Sequence, residues 1–139
     1  MARKFEPLEV EFVFDFRQED IPIEGNAIAS GNEKVDKEYE EQIRRDLEGG
    51  NDWAWCTVIM EARWAGFTGR DTLGGCSYKD AQDFRQKDGY FEDMLHACVR
   101  DLIRQIKDAG WELKVDKRDI VKAARHGFDT AILLGGNVL

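Results

Sequence analysis

Two stretches of this chain alternate so strictly that they leave little choice of backbone. In residues 8–17, Leu8, Val10, Phe12, Phe14 and Phe16 alternate with Glu9, Glu11, Val13, Asp15 and Arg17. A period of two is the mark of a half-buried strand, with successive side chains on opposite faces. Residues 52–65 repeat the pattern: Ala54, Cys56, Val58, Met60, Ala62 and Trp64 are all apolar, while Trp53, Trp55, Thr57, Ile59, Glu61 and Arg63 form the other parity. The even positions of both strands therefore predict one core face. A weaker strand is expected over residues 67–77, after a turn at Ala65-Gly66, with Gly69 and Gly74-Gly75 marking a bulge or a close backbone approach.

Helices are expected between and after these strands. Ser30 and Glu33 have capping-box spacing, and Val35, Tyr39, Ile43 and Leu47 form a narrow apolar stripe that Gly49-Gly50 ends. That stripe predicts a helix lying on the sheet with one side wet. A short helical turn is expected over residues 80–86. A long helix follows from Gly89 to Gly110, with Phe91, Met94, Leu95, Cys98, Leu102 and Ile106 at helical spacing, acids leading and bases trailing. Residues 111–115 alternate like a short strand, and Asp116 is placed to cap a last helix from Lys117 to His126, closed by Gly127. The expected fold is α+β: a three-stranded antiparallel sheet with two helices packed on one face. Residues 1–110 form the core domain and residues 111–139 a C-terminal appendage that packs on the core or mediates oligomerisation. Trp64, Met60, Phe12, Phe14, Leu95 and Leu102 are assigned to the core.

Charge and cysteine usage narrow the classes of function. Of 139 residues, 20 are Lys or Arg and 28 Asp or Glu, a formal net charge of −8. Residues 1–50 hold 7 basic and 14 acidic side chains, so the excess sits in the N-terminal half. Such a half repels phosphate backbones and favours basic partners, so nucleic-acid binding there is not expected. Residues 114–125 are locally basic and read as a solvated helix face. Cys56, Cys76 and Cys98 are odd in number and widely spaced, which suits small core fillers in a reducing cytoplasm. Glu9, Glu11 and Asp15 interrupt the place where a signal peptide's apolar region would lie, and no run nears the ~20 apolar residues of a membrane span.

Motifs for chemistry are sparse. No CxxC, HxxxH or HExxH spacing occurs, so neither a metal nor a cofactor is expected. The two histidines, His96 and His126, accompany no G-x-S-x-G elbow, and neither the glycines of residues 68–75 nor Gly135-Gly136 make a phosphate loop. No catalytic residue is assigned. The acids of the first helix invite comparison with a nucleic-acid mimic. Glu40 with Arg44 and Glu41 with Arg45, however, are i,i+4 pairs in the favourable order, which predicts a self-compensated face.

The remaining signal is the second face of the sheet. Trp53, Trp55, Ile59 and Val13 are expected to form an apolar centre, rimmed by Glu9, Glu11, Asp15, Glu61 and Arg63, with Arg70 beside it. Aromatics inside a polar rim are what binding centres look like. Three occupants fit: the C-terminal segment from Trp111, a second copy of the chain, or a foreign protein.

Residues 53–58 (WAWCTV), 73–78 (LGGCSY) and 89–94 (GYFEDM), with the turn residues Gly25-Asn26-Ala27 and Ser30-Gly31, resemble a group of small acidic proteins of tailed bacteriophages and prophages. The likeness covers residues 8–107. It implies a host-takeover or counter-defence role, of which inhibitors of CRISPR effectors are one kind, and it carries over no functional residue. The expected function is a non-enzymatic accessory protein that binds and inhibits a host protein in the host cytoplasm. Two alternatives are an oligomer that sequesters a nucleotide-like ligand through Arg63, Arg70 and aromatics, and a hydrolase using Asp or Glu.

Overall fold

The computed structural model describes residues 5–134; the Gly135-Gly136 pair lies outside them, as does the side chain of Leu8. Three strands, β1 (Glu11–Gln18), β2 (Cys56–Trp64) and β3 (Phe67–Cys76), form one antiparallel sheet in the order β1-β2-β3. The helices are α1 (Glu33–Glu48), α2 (Ala81–Gln86), α3 (Tyr90–Asp108) and α4 (Lys117–Leu133), with 3-10 turns at Pro7–Glu9 and Asp52–Ala54. The class is α+β, as the alternation predicts.

Register puts the even residues on one face. Phe12 faces Ala62, Phe14 faces Met60 and Phe16 faces Val58, while Ala62 also faces Gly69 of β3. Met60, Phe14 and Val58 are fully buried and Trp64 nearly so; Phe12 and Phe16 are half-buried at the edge of the core. α3 covers this face with Phe91, Met94, Leu95, Cys98, Val99, Leu102 and Ile106. The approach is so close that a Cβ on Gly69 would lie 2.1 Å from the Cys98 carbonyl oxygen and 2.6 Å from the Leu102 nitrogen. The glycine in the strand thus marks backbone contact with a helix. Gly74-Gly75 is the bulge, where β3 carries one residue more than β2 between the pairs Cys56–Cys76 and Val58–Leu73.

The C-terminal part departs from expectation. α4 runs seventeen residues, through Gly127 to Leu133, and packs on β1 and α3. Gly127 does not close it. A Cβ there would meet the Phe12 ring at 2.3 Å, so this glycine makes room for an aromatic of the sheet. Ile120, Val121, Ala124, Phe128, Ala131 and Ile132 belong to the same core as β2 and α3. Of the segment expected to pack on the core or to mediate oligomerisation, residues 111–134 pack on the core, over the first face of the sheet and not the second. Residues 111–115 form no strand; Trp111 instead packs edge-on against Trp64 at 5.4 Å, and Leu113 and Val115 also rest on the core.

Two helices do lie over the apolar face, α3 and α4, with the short α2 adding Phe84. α1 is not one of them. Among the described residues none of α1 joins the main core; Ile43 and Leu47 instead form a small second cluster with Ala54, Trp55, Ile23 and Ala27. Its cap also differs. Asn32 accepts the Lys34 and Val35 amides, and Ser30 donates its hydroxyl to Asp36 at 2.6 Å.

Two substitutions test this packing by chemical denaturation. Trp64→Ala should cost ~3–5 kcal/mol, as large-to-small core changes do; a loss below about 1 kcal/mol contradicts the assigned core face. Gly69→Ala should cost ~1–3 kcal/mol although it adds one methyl group, because the neighbour that must yield is helix backbone.

Candidate functional site

The centre expected for a docking surface is not on the surface. Trp53, Trp55, Ile59 and Val13 are exposed by only 7%, 3%, 4% and 1%. The two indoles separate because Asp52–Ala54 is a 3-10 turn, capped where Asn51 Oδ1 accepts the Trp53 amide at 3.1 Å. That turn breaks the alternation before β2 begins. Trp53 swings to the helix-covered face, stacked at 6.0 Å on Phe14 and packed at 4.4 Å on Phe16 and at 6.0 Å on Phe84. Trp55 belongs to the α1 cluster and donates its indole N–H to the Ile21 carbonyl at 2.8 Å.

The expected rim survives in part. Register places Glu11, Asp15, Ile59, Glu61, Arg63 and Arg70 on one face, with Glu11 opposite Arg63, Asp15 opposite Ile59, and Glu61 opposite Arg70. Arg63 is engaged by Glu61 at 3.1 Å, and Arg17 lies 3.9 Å from Asp15. Glu9 sits apart on the first 3-10 turn, where it accepts the Trp64 indole N–H at 3.2 Å. Polar side chains thus surround a buried Val13 and Ile59, and the apolar anchor that a binding centre needs is missing from this face.

The thiols are chemically quiet. Burial pushes Cys56 up to about 12, Cys76 to about 11 and Cys98 to about 12, so at neutral pH the thiolate that attacks or ligates is scarce. Cys98 donates to the Met60 carbonyl at 3.0 Å. His96 is exposed, 3.6 Å from Glu92. Among the described residues no group of three or more His, Cys, Asp or Glu is placed to hold a metal ion. No helix among them is long and apolar enough to cross a membrane.

Glu19 acts as a buckle at the bulged end of the sheet. Its carboxylate accepts the Thr57 hydroxyl, the Gly75 amide at 3.3 Å and the Ile21 amide at 3.4 Å. The Thr57 hydrogen bond leads in holding its carboxyl below the ordinary 4.5. A depressed folded-state value stabilises the fold above the unfolded-state value, and that contribution is lost as pH falls through the folded-state value. Acid titration of unfolding should therefore show a smaller loss of stability below pH 4.5 for Glu19→Gln than for the parent; identical curves contradict the buckle.

Sequence reasoning missed the state of α1. The expected pairs of Glu40 with Arg44 and of Glu41 with Arg45 are not formed. Glu24, upstream of the helix, takes Arg44, and Gln42 takes Arg45 at 2.9 Å. Glu40 turns inward and accepts the Gly25 amide at 3.1 Å. Glu33, Glu38, Glu41 and Glu48 are left exposed, with no hydrogen bond or ion pair through their carboxylates among the described residues. Val35 and Tyr39, one turn apart, are 45% and 41% exposed, and helical spacing puts Glu38, Gln42 and Asp46 on the same face. Where α1 ends, a cleft of about 410 Å³ opens between Leu47, Asp52 and the end of β1, lined by Phe16 and Gln18. The available sequence signal was Glu24, whose competition for Arg44 across a loop no helical pairing rule includes.

No protein-family model matches this chain, and no curated protein or solved structure matches it.

Proposed function

We propose that this protein is a non-enzymatic accessory protein of phage kind that binds a host protein through α1 and inhibits it, and that the bound surface is basic. The observation that carries the reading is the set of exposed carboxylates on α1 that meet no base, Glu33, Glu38, Glu41 and Glu48, of which Glu38 adjoins exposed Val35. Several acids outside α1 meet bases: Asp129 with Arg85, Glu92 with Arg125, Asp116 with Arg118. A helix that keeps its acids in solvent retains a negative field, which steers encounter with a positive surface and selects against negative ones. Tyr39 adds the amphipathic ring that interface centres favour. Surfaces that ordinarily receive a polyanion have the complementary charge, and the resemblance to phage proteins makes a defence component the natural candidate.

Capture from bacterial lysate on the immobilised protein should recover a basic protein in stoichiometric amount. Replacing Glu38, Glu41 and Glu48 together with Gln should weaken that complex about tenfold at low ionic strength. The difference should fade near 1 M salt, where the screening length is ~3 Å. Recovery of no stoichiometric partner, or capture indifferent to the three substitutions, overturns the reading.

A further inference from the structure

We infer that the cleft at the C-terminal end of α1 receives an arginine side chain of the partner; this rests on the partner surface being basic, as proposed above. The cleft's volume of about 410 Å³ exceeds what one side chain fills, and its lining is mixed in a particular way. Phe16 is half-buried, with Trp53 packed behind its ring at 4.4 Å, so the ring is held in place. Leu47 supplies an aliphatic wall. Asp52 and Gln18 are exposed, and neither side chain makes a hydrogen bond or ion pair among the described residues.

Each part matches one part of an arginine. A guanidinium is planar, stacks on an aromatic face and offers a fork of N–H donors to a carboxylate. Phe16 provides the face, Asp52 the carboxylate, and the Gln18 amide oxygen a further acceptor. The methylene stem lies along Leu47. A lysine carries a point charge with no plane to stack, so it is held less well. An apolar side chain would strip water from Asp52 without replacing its hydrogen bonds. An anion would face Asp52 and the carboxylates of α1. The occupant is assigned to the protein partner because the cleft opens at the end of α1, where Leu47 lines it and the next residue, Glu48, is exposed.

The test uses calorimetric titration of the full chain with a capped Gly-Arg repeat peptide, its lysine and citrulline counterparts, and free arginine. Binding of the arginine peptide should exceed that of the neutral, isosteric citrulline peptide by about tenfold or more. Asp52→Asn should remove about tenfold of the arginine-peptide affinity and leave the citrulline peptide unchanged. Because Asp52 has no side-chain partner to lose, the variant's melting temperature should match the parent's. Equal binding of arginine and citrulline peptides, or an Asp52→Asn variant that binds the arginine peptide undiminished, overturns the inference. So does free arginine binding as tightly as the peptide, which would make the cleft a small-cation site. If Asp52→Asn still captures the stoichiometric basic partner at full affinity, the cleft assignment falls while the function proposed for α1 stands.

Discussion

Where α3 crosses β3 at Gly69, helix backbone rests on strand backbone, and much of the molecule follows from that contact. An apolar sheet face must be covered, and a helix this close covers it densely with Met94, Leu95, Cys98 and Leu102. α4 completes the layer by the same device, Gly127 over the Phe12 ring. With Phe84 of α2 filling the remaining end, the face takes no contribution from α1. That helix keeps only Ile43 and Leu47 for a small cluster around Trp55. Its exposed acids are thus a consequence of how completely the other helices fill the core.

Parts of this arrangement were legible in the sequence because one rule acted alone. The even parity of residues 12–16 and 56–64 survives into the register without a slip, since a one-residue shift would have turned Met60 and Phe14 to solvent. The long stripe of α3 and its flanking glycines likewise left no competing reading. Elsewhere two rules competed and the pattern favoured the wrong one. Alternation seemed to run on through Trp53, but Asn51 captures the Trp53 amide and winds a turn there. Gly127 looked like a helix stop. A helix stop and a close-contact glycine have the same spelling, and only the ring of Phe12, more than a hundred residues away, distinguishes them.

The candidate site was harder to read than the fold for an electrostatic reason. Pairing rules on a helix consider neighbours three and four residues apart, and by those rules α1 looks compensated. The chain instead sends Arg44 to Glu24 and draws Glu40 inward to the Gly25 amide. Both partners lie in the loop before the helix, so the loop sets which charges α1 shows. The predicted tryptophan centre failed for a related reason: burial of Ile59 and Val13 is a property of the assembled face, and neither residue's neighbours in sequence reveal it.

The connectivity gives α1 one more property. β2 and β3 are joined by the two residues Ala65 and Gly66, both with positive φ, so their pairing closes a very short loop. β1 reaches β2 only across residues 19–55, the excursion that contains α1. Loop-closure entropy rises with the length spanned, so the β1–β2 seam is the more demanding one to zip. A macromolecule gripping α1 grips the tether of that seam, and by mass action whatever prefers the folded tether also holds the seam shut. Occupancy of the helix and integrity of the sheet are therefore thermodynamically joined, with the helix serving as handle and hasp at once.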